Sequence, residues 1–310
     1  FGGIVGGEGI LAPGAVVETT EVGFEPMPCT VVGTAEDVLA RVSKGDRVAQ
    51  FADNLSLKLS GHSQRGAAVV LVLPRLRAIT LRYSRMGSLS VIEDLAEILD
   101  GVPQVRELEL LLDQAGGDET HVGCDVIEGL ATSRLWRLSI KKESHADPLL
   151  FPRLLRSLPQ QLIELEVAEE QRMRIRDPVP LELEAWEQAA VVVQTLALKK
   201  LRVNFGRGDL PGRQTWLCAA LRAGKLEHCT LQVKDVEATA SLQFVEALSG
   251  QFSLRTLRLA IGSWDLEACQ AVSARILSLS ALILLNLEFH CTAAANVAAV
   301  LAPLAGIFAE

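Results

Sequence analysis

Leu135-Trp136-Arg137-Leu138-Ser139-Ile140 and Leu254-Arg255-Thr256-Leu257-Arg258-Leu259 share one pattern, apolar at the first, fourth and sixth places. The same pattern opens at Leu76, Val105, Leu162, Leu198, Leu226 and Leu282. Its successive intervals along the chain are 29, 30, 27, 36, 28, 28 and 28 residues. The last two apolar places lie two residues apart, so both side chains leave one face of a short strand. Strands are therefore predicted at 78–82, 107–111, 137–141, 164–168, 200–204, 228–232, 256–260 and 284–288, parallel and in sequence order.

The stretches between them carry helical periodicity. Val91, Leu95, Ile98, Leu99 and Val102 form one apolar stripe, opened by Ser90-x-x-Glu93 as a capping box and closed by Gly101 and Pro103. Trp216, Leu217, Ala220 and Leu221 precede Gly224, and Leu242, Val245 and Leu248 precede Gly250. Leu266, Cys269, Val272, Ile276 and Leu279 make a further stripe. Glycine after a helix reads as its C-terminal stop. Strand, helix and strand in one phase build an α/β fold, a parallel sheet with helices on one side.

A unit of about 28 residues with this pattern resembles the ribonuclease-inhibitor-like class of leucine-rich repeats over residues 76–290. The resemblance implies a solenoid of about eight to ten repeats, with a curved parallel sheet on one face and helices on the other. Residues 1–33 are expected to be an extended N-terminal arm and 34–75 degenerate first repeats. Residues 29–75 are read as two degenerate units, Cys29–Val32 with a helix around 35–43, and Leu55, Leu57 and Leu59 with an apolar stretch at 67–73. Residues 291–310 are expected to form an apolar capping or docking helix. The family's Asn or Cys after each strand is replaced here by Ser84, Asp113, Glu143, Glu170, Gly206, Lys234, Gly262 and His290. Without an Asn ladder, irregular turns are predicted.

Residues between the apolar strand places face outward. One row reads Ala78, Glu107, Arg137, Glu164, Lys200, His228, Thr256, Leu284, and the next reads Thr80, Glu109, Ser139, Glu166, Arg202, Thr230, Arg258, Asn286. From Glu107 to Lys200 the sign alternates. On neighbouring strands this makes a self-compensating ladder and argues against a strongly acidic or basic groove. The longest interval carries the insertion Ala168–Glu182; this insertion and the loops 111–123 and 204–212 are predicted to gather on one rim.

Composition excludes several classes. The formal net charge is −8 and aromatics are 5% of the chain, so nucleic acid is disfavoured as a partner. Six cysteines without a C-x-x-C read as reduced core residues in an intracellular, reducing compartment, not as a zinc site. No cofactor or metal is expected. His121 and His145 stand alone, and Arg207-Gly208-Asp209 reads as a chance tripeptide. The glycines at 2, 3, 6, 7 and 9 lack the lysine of a phosphate loop, and no nucleophile elbow is present. Trp136, Trp186, Trp216 and Trp264 scatter across the units, as packing residues do. The chain opens on Phe1, as a processed chain or a fragment would, so an organelle is not excluded. Residues 1–40 hold no Lys or Arg, and the arm is expected to pack on the repeats or on a partner. Membrane contact is conceivable only through 293–309.

These readings point to a non-catalytic protein–protein interaction or scaffold subunit of a larger assembly. The alternatives are a substrate-recognition module of a ubiquitin ligase and a GTPase-activating regulator, both built on this repeat class. Candidate partner-binding residues are Arg172, Arg174 and Arg176 in the insertion and Arg202 and Arg258 on the sheet face. Val297, Leu301, Leu304 and Phe308 are the candidates on the terminal helix.

Overall fold

Ile79, Leu81 and Tyr83 are buried while Thr80 and Arg82 between them are not, and the same alternation runs through the other interior strands, broken at Ser139 and Ala260, which are buried. One face of each strand is thus committed to a core, and the helices bury their apolar stripes against it in a single contiguous cluster. The computed structural model describes residues 29–305, apart from 51, 61–68, 71–72, 85, 114–126, 143–148, 170–179, 207–210, 224, 234–237, 262–265 and 290–293.

The strands are β1 (Thr30–Thr34), β2 (Asn54–Ser60), β3 (Ala78–Ser84), β4 (Glu107–Asp113), β5 (Arg137–Lys142), β6 (Glu164–Glu169), β7 (Lys200–Phe205), β8 (His228–Val233), β9 (Thr256–Ile261) and β10 (Leu284–Phe289). The helices are α1 (Ala35–Ser43), α2 (Arg47–Gln50), α3 (Ser88–Gly101), α4 (Glu128–Thr132), α5 (Leu150–Arg156), α6 (Pro180–Gln194), α7 (Pro211–Arg222), α8 (Ala238–Ala247), α9 (Leu266–Leu277) and α10 (Ala294–Ala305). All ten strands form one open sheet in strict sequence order, and every neighbouring pair is parallel. β1 begins at Thr30, ahead of the boundary drawn after residue 33.

The repetition extends to the backbone. The carbonyl of Asp53 accepts from the amides of Arg77 and Ala78, that of Arg77 from Arg106 and Glu107, and that of Arg106 from Trp136 and Arg137. The same shared acceptor recurs at Cys29, Trp136, Ile163, Lys199, Glu227 and Arg255. Neighbouring units are therefore registered by main chain at the strand entrances, which an Asn ladder is not needed to do. Buried side chains reinforce this rim. Gln251 accepts from the Leu226 amide at 2.8 Å and donates to the Leu221 carbonyl at 2.9 Å. Ser157 accepts from the Ile127 amide at 2.8 Å.

Two cap predictions need correction. Ser90 lies inside α3, which begins at Ser88 behind Gly87, and no side chain caps it. The capping box that forms is Thr34 with Asp37, ahead of α1, where the hydroxyl and carboxylate answer each other's amides. Of the glycines predicted to stop helices, Gly101 and Gly250 have no positive φ, and Gly224 lies outside the described residues. Among the described residues only Gly45 has a positive φ, 79°. There Gly45 donates to Val42 and Asp46 to Arg41, the paired bonds that close a helix. Gly212 is required for another reason, since a Cβ there would lie 2.7 Å from the Trp186 Cβ. Of the predicted α9 stripe, Val272, Ile276 and Leu279 are buried and Leu266 is exposed.

Candidate partner-binding face

Both predicted face rows are cross-strand neighbours in the stated order, from Ala78 to Leu284 and from Thr80 to Asn286. In the first row Arg137 stands 3.2 Å from Glu107 and 3.7 Å from Glu164, and Lys200 stands 3.3 Å from Glu164. The ladder is therefore self-compensating, as expected. In the second row Thr80 bonds Glu109, Ser139 bonds Glu166 and Arg202 reaches Glu166 at 3.5 Å.

A third row, unread in the sequence, changes the balance. It runs Lys58, Arg82, Leu111, Lys141, Ala168, Asn204, Gln232, Ala260, Glu288. Extending the face phase by two residues would have found it. With the second row it lines a groove of about 570 Å³ over the carboxyl-terminal halves of β3 to β9. Arg82, Lys141, Arg202 and Arg258 line it against the acids Asp113 and Glu166, and Lys142, also at its margin, is buried toward the core. The sign alternation of the first row does not carry over to this end, yet each of the four exposed bases has an acid within ion-pair distance, so the groove is not strongly basic. Lys141 is held at 2.6 Å from Glu109, Arg82 pairs with Asp113, and Arg258 donates through Nε to Glu288 at 3.0 Å.

The two face arginines nominated from sequence, Arg202 and Arg258, both line this groove. Val297, Leu301 and Leu304 lie on α10, away from this row. Leu304 is buried with Val300, Val297 is half-buried and Leu301 is exposed, so the helix presents apolar residues both inward and outward. Ser273 ties it to α9 by donating to the Val300 carbonyl at 3.1 Å. Arg172, Arg174, Arg176 and Phe308 lie outside the described residues, as do His121, His145, Trp264, the tripeptide 207–209 and the arm 1–28.

A second cluster escaped the sequence reading altogether. The fourth apolar strand place reads Tyr83, Leu112, Lys142, Glu169, Phe205, Val233, and all six are buried. Two opposite charges on adjacent strands interrupt it, and that interruption is the signal that was available. Lys142 stands 3.1 Å from Glu169, and Arg213 in the first turn of α7 stands 2.9 Å from the same carboxylate. The charges are sheathed in rings. Lys142 lies 5.8 Å from the Phe151 centroid, and the Arg213 guanidinium lies 5.9 Å from both Trp186 and Phe205. Trp216 closes the box edge-on at 6.1 Å from Trp186. Glu182, at the start of α6, is raised above the usual carboxylate range by burial, against the pull of Arg213 and Lys142. The cluster clamps the ends of β5 and β6 to the first turns of α6 and α7, on either side of the longest insertion.

The sequence matches no protein-family model and no curated protein. Cys218 and Cys229 are buried free thiols, pushed up by desolvation to about 11 and about 12, so they are inert packing residues. Among the described residues no three His, Cys, Asp or Glu side chains gather into a metal set, and no helix is long and apolar enough to cross a membrane.

Proposed function

We propose that the chain is a leucine-rich-repeat solenoid of the ribonuclease-inhibitor-like class that serves as a non-catalytic scaffold, holding a partner protein on the exposed face of its sheet. The observation that carries this reading is the groove spanning seven strands on the sheet face that, among the described residues, no helix covers. The strict strand order and the recurring carbonyl acceptor support the repeat class. Large concavities built from the side chains of many successive repeats are where such arrays gain specificity. Outward apolar residues Leu301, Leu284 and Ile283 at the last unit fit a second contact within an assembly. The buried free thiols fit a reducing compartment.

A photo-cross-linking residue placed at Gln232 in the groove, and separately at the exposed Glu187 on α6, tests the face assignment. In native extract the groove position should yield one discrete protein adduct and the helix position none. Adducts at Glu187 equal to those at Gln232, or none at Gln232, would sink the assignment.

A further inference from the structure

We infer that β10 and α10 close a two-fold dimer, setting this end of the array against the same end of a second copy of the chain. The inference takes up the second contact proposed above and does not involve the groove. In every unit from β3 to β9 the three apolar places of the repeat are at most 1% exposed. In the last unit the same places, Leu282, Leu285 and Leu287, are only half-buried, although they pack on the core. Beside them Ile283 and Leu284 are 77% and 59% exposed. The other end of the array differs. Val31, which holds the place of Leu285 on the outermost strand β1, is 1% exposed. Head-to-tail stacking would set an open end against a closed one, whereas two open ends match each other.

The main chain is equally unfinished at this end. The Arg255 carbonyl accepts from the amides of Ile283 and Leu284, at 2.8 Å and 3.0 Å. Next in that series is the Ile283 carbonyl, which has no such partner among the described residues. No described strand lies beyond β10. Leu284 turns its amide to β9, so Leu285 and Leu287 turn theirs, with their carbonyls, to the open edge. Sheet edges are commonly guarded by lysine or proline, and β10 carries neither.

Charge selects a second copy as the occupant. From Ile276 to Ala305 the one Asp, Glu, Lys or Arg is Glu288, and its carboxylate is turned to Arg258. A chain of net charge −8 repels its own copy over most of its surface, but not here. An antiparallel pair centred on Asn286 lets Leu285 and Leu287 exchange main-chain bonds with their counterparts in the copy. It also sets the exposed Asn286 against itself, and a carboxamide both donates and accepts. The half-buried leucines then meet on the core side. There α10 meets its copy through exposed Ala298, Leu301 and Ala302, which share one side of the helix. A six-residue strand beside a twelve-residue helix, about 20 Å and about 18 Å long, offers a face of the order that dimers bury, about 800 Å² per copy. Such a contact is isologous and stops at two chains.

The test is sedimentation equilibrium of the purified full chain between about 1 µM and about 100 µM. A mass of twice 33.4 kDa is expected, without larger species. Leu284→Lys with Leu301→Lys places charge at two exposed positions of the end unit and should weaken the dimer by about a hundredfold or more. Val191→Lys on α6 and Val32→Lys on β1 alter equally exposed apolar positions elsewhere and should leave it unchanged. Circular dichroism establishes that each variant is folded. Asn286→Cys should be trapped as a covalent dimer on mild oxidation, well beyond the native chain and Glu187→Cys, because paired Cα atoms about 4.5 Å apart suit a disulfide. A monomer at every concentration, growth beyond two chains, loss of the dimer in Val32→Lys, indifference to the Leu284/Leu301 change, or no excess trapping at Asn286→Cys would overturn the inference. Cross-links at Gln232 report on the groove alone, so the face assignment and the dimer can fail separately.

Discussion

Arg137–Glu164 and Lys142–Glu169 join the same two strands, five residues apart, on opposite sides of one sheet. The first pair stands in water, with side chains 49% and 23% exposed. The second is 6% and 3% exposed and wrapped in aromatic rings. In water an ion pair gains little, because solvent screens it and long side chains lose freedom. Inside, each charge has surrendered its hydration, and the pair holds only because its partners and rings replace that water. The exposed ladder sets register and leaves the surface neutral. The buried cluster fixes where α6 and α7 begin relative to β5 and β6. Charge of one kind thus does two different jobs within a single strand pair.

The contrast is tested most severely at Glu169. Glu169→Gln leaves Lys142 and Arg213 facing each other without their shared carboxylate, and should cost about 3–5 kcal/mol. Denaturant titration reads this as a lower midpoint at unchanged slope. Adding Lys142→Met should recover part of the loss, because Arg213 then has Glu182 to itself. A cost as small as that of a surface pair would mean that water reaches the cluster, and the comparison would collapse.

Glu182 sharpens it through pH. Burial holds this carboxyl above its ordinary value of 4.5, with Arg213 and Lys142 pulling it down and Glu169 pushing it up. A carboxyl whose folded pKa is raised contributes its stability below the unfolded value and loses it as pH rises through the folded value. Glu182→Gln removes that titration. The stability of the variant relative to the native chain should therefore rise as pH increases above the ordinary carboxyl value of 4.5, measured by thermal or chemical unfolding at each pH. A difference that stays flat, or falls, across this window would show that desolvation does not dominate at Glu182.

What was legible follows the same division. Strand phase, strand order and the first two face rows were readable because Leu81, Leu110, Ile140 and Val167 repeat at one place, and a period-two pattern fixes which neighbours face out. The alternation of Glu107, Arg137, Glu164 and Lys200 supports that register in the sequence itself, since a shifted register scrambles it. The third row follows from the same phase, two residues further along each strand. Lys142 and Glu169 were harder. A lone charge at the end of an apolar run looks like the solvated end of a strand, and only Arg213, 44 residues beyond Glu169, makes the pair tolerable inside. Arg213 carries no mark in sequence that separates it from a surface arginine of an amphipathic helix. The helix caps failed for a related reason. Ser90 and Glu93 match the spacing of a box, but the helix had already started at Ser88, and a local pattern of two residues cannot outweigh the docking of a whole apolar stripe.

The smallest expected effect lies at Arg137, and it matters because it is small. Arg137 has two acidic neighbours, Glu107 at 3.2 Å and Glu164 at 3.7 Å. Counting contacts alone would rank it beside Glu169. Solvent decides otherwise, since about half of the Arg137 side chain is exposed and water replaces each lost contact. Arg137→Ala should cost less than about 1 kcal/mol at moderate ionic strength, and the remainder should vanish near about 1 M salt, where screening reaches about 3 Å. The two glutamates left behind are hydrated and need no replacement partner. Paired unfolding curves of the native chain and the variant at low and high salt make the measurement. A loss of several kcal/mol that persists in high salt would mean that the first row is covered in solution, by a second copy or by another segment of the chain, and that the face assigned to a partner is not free.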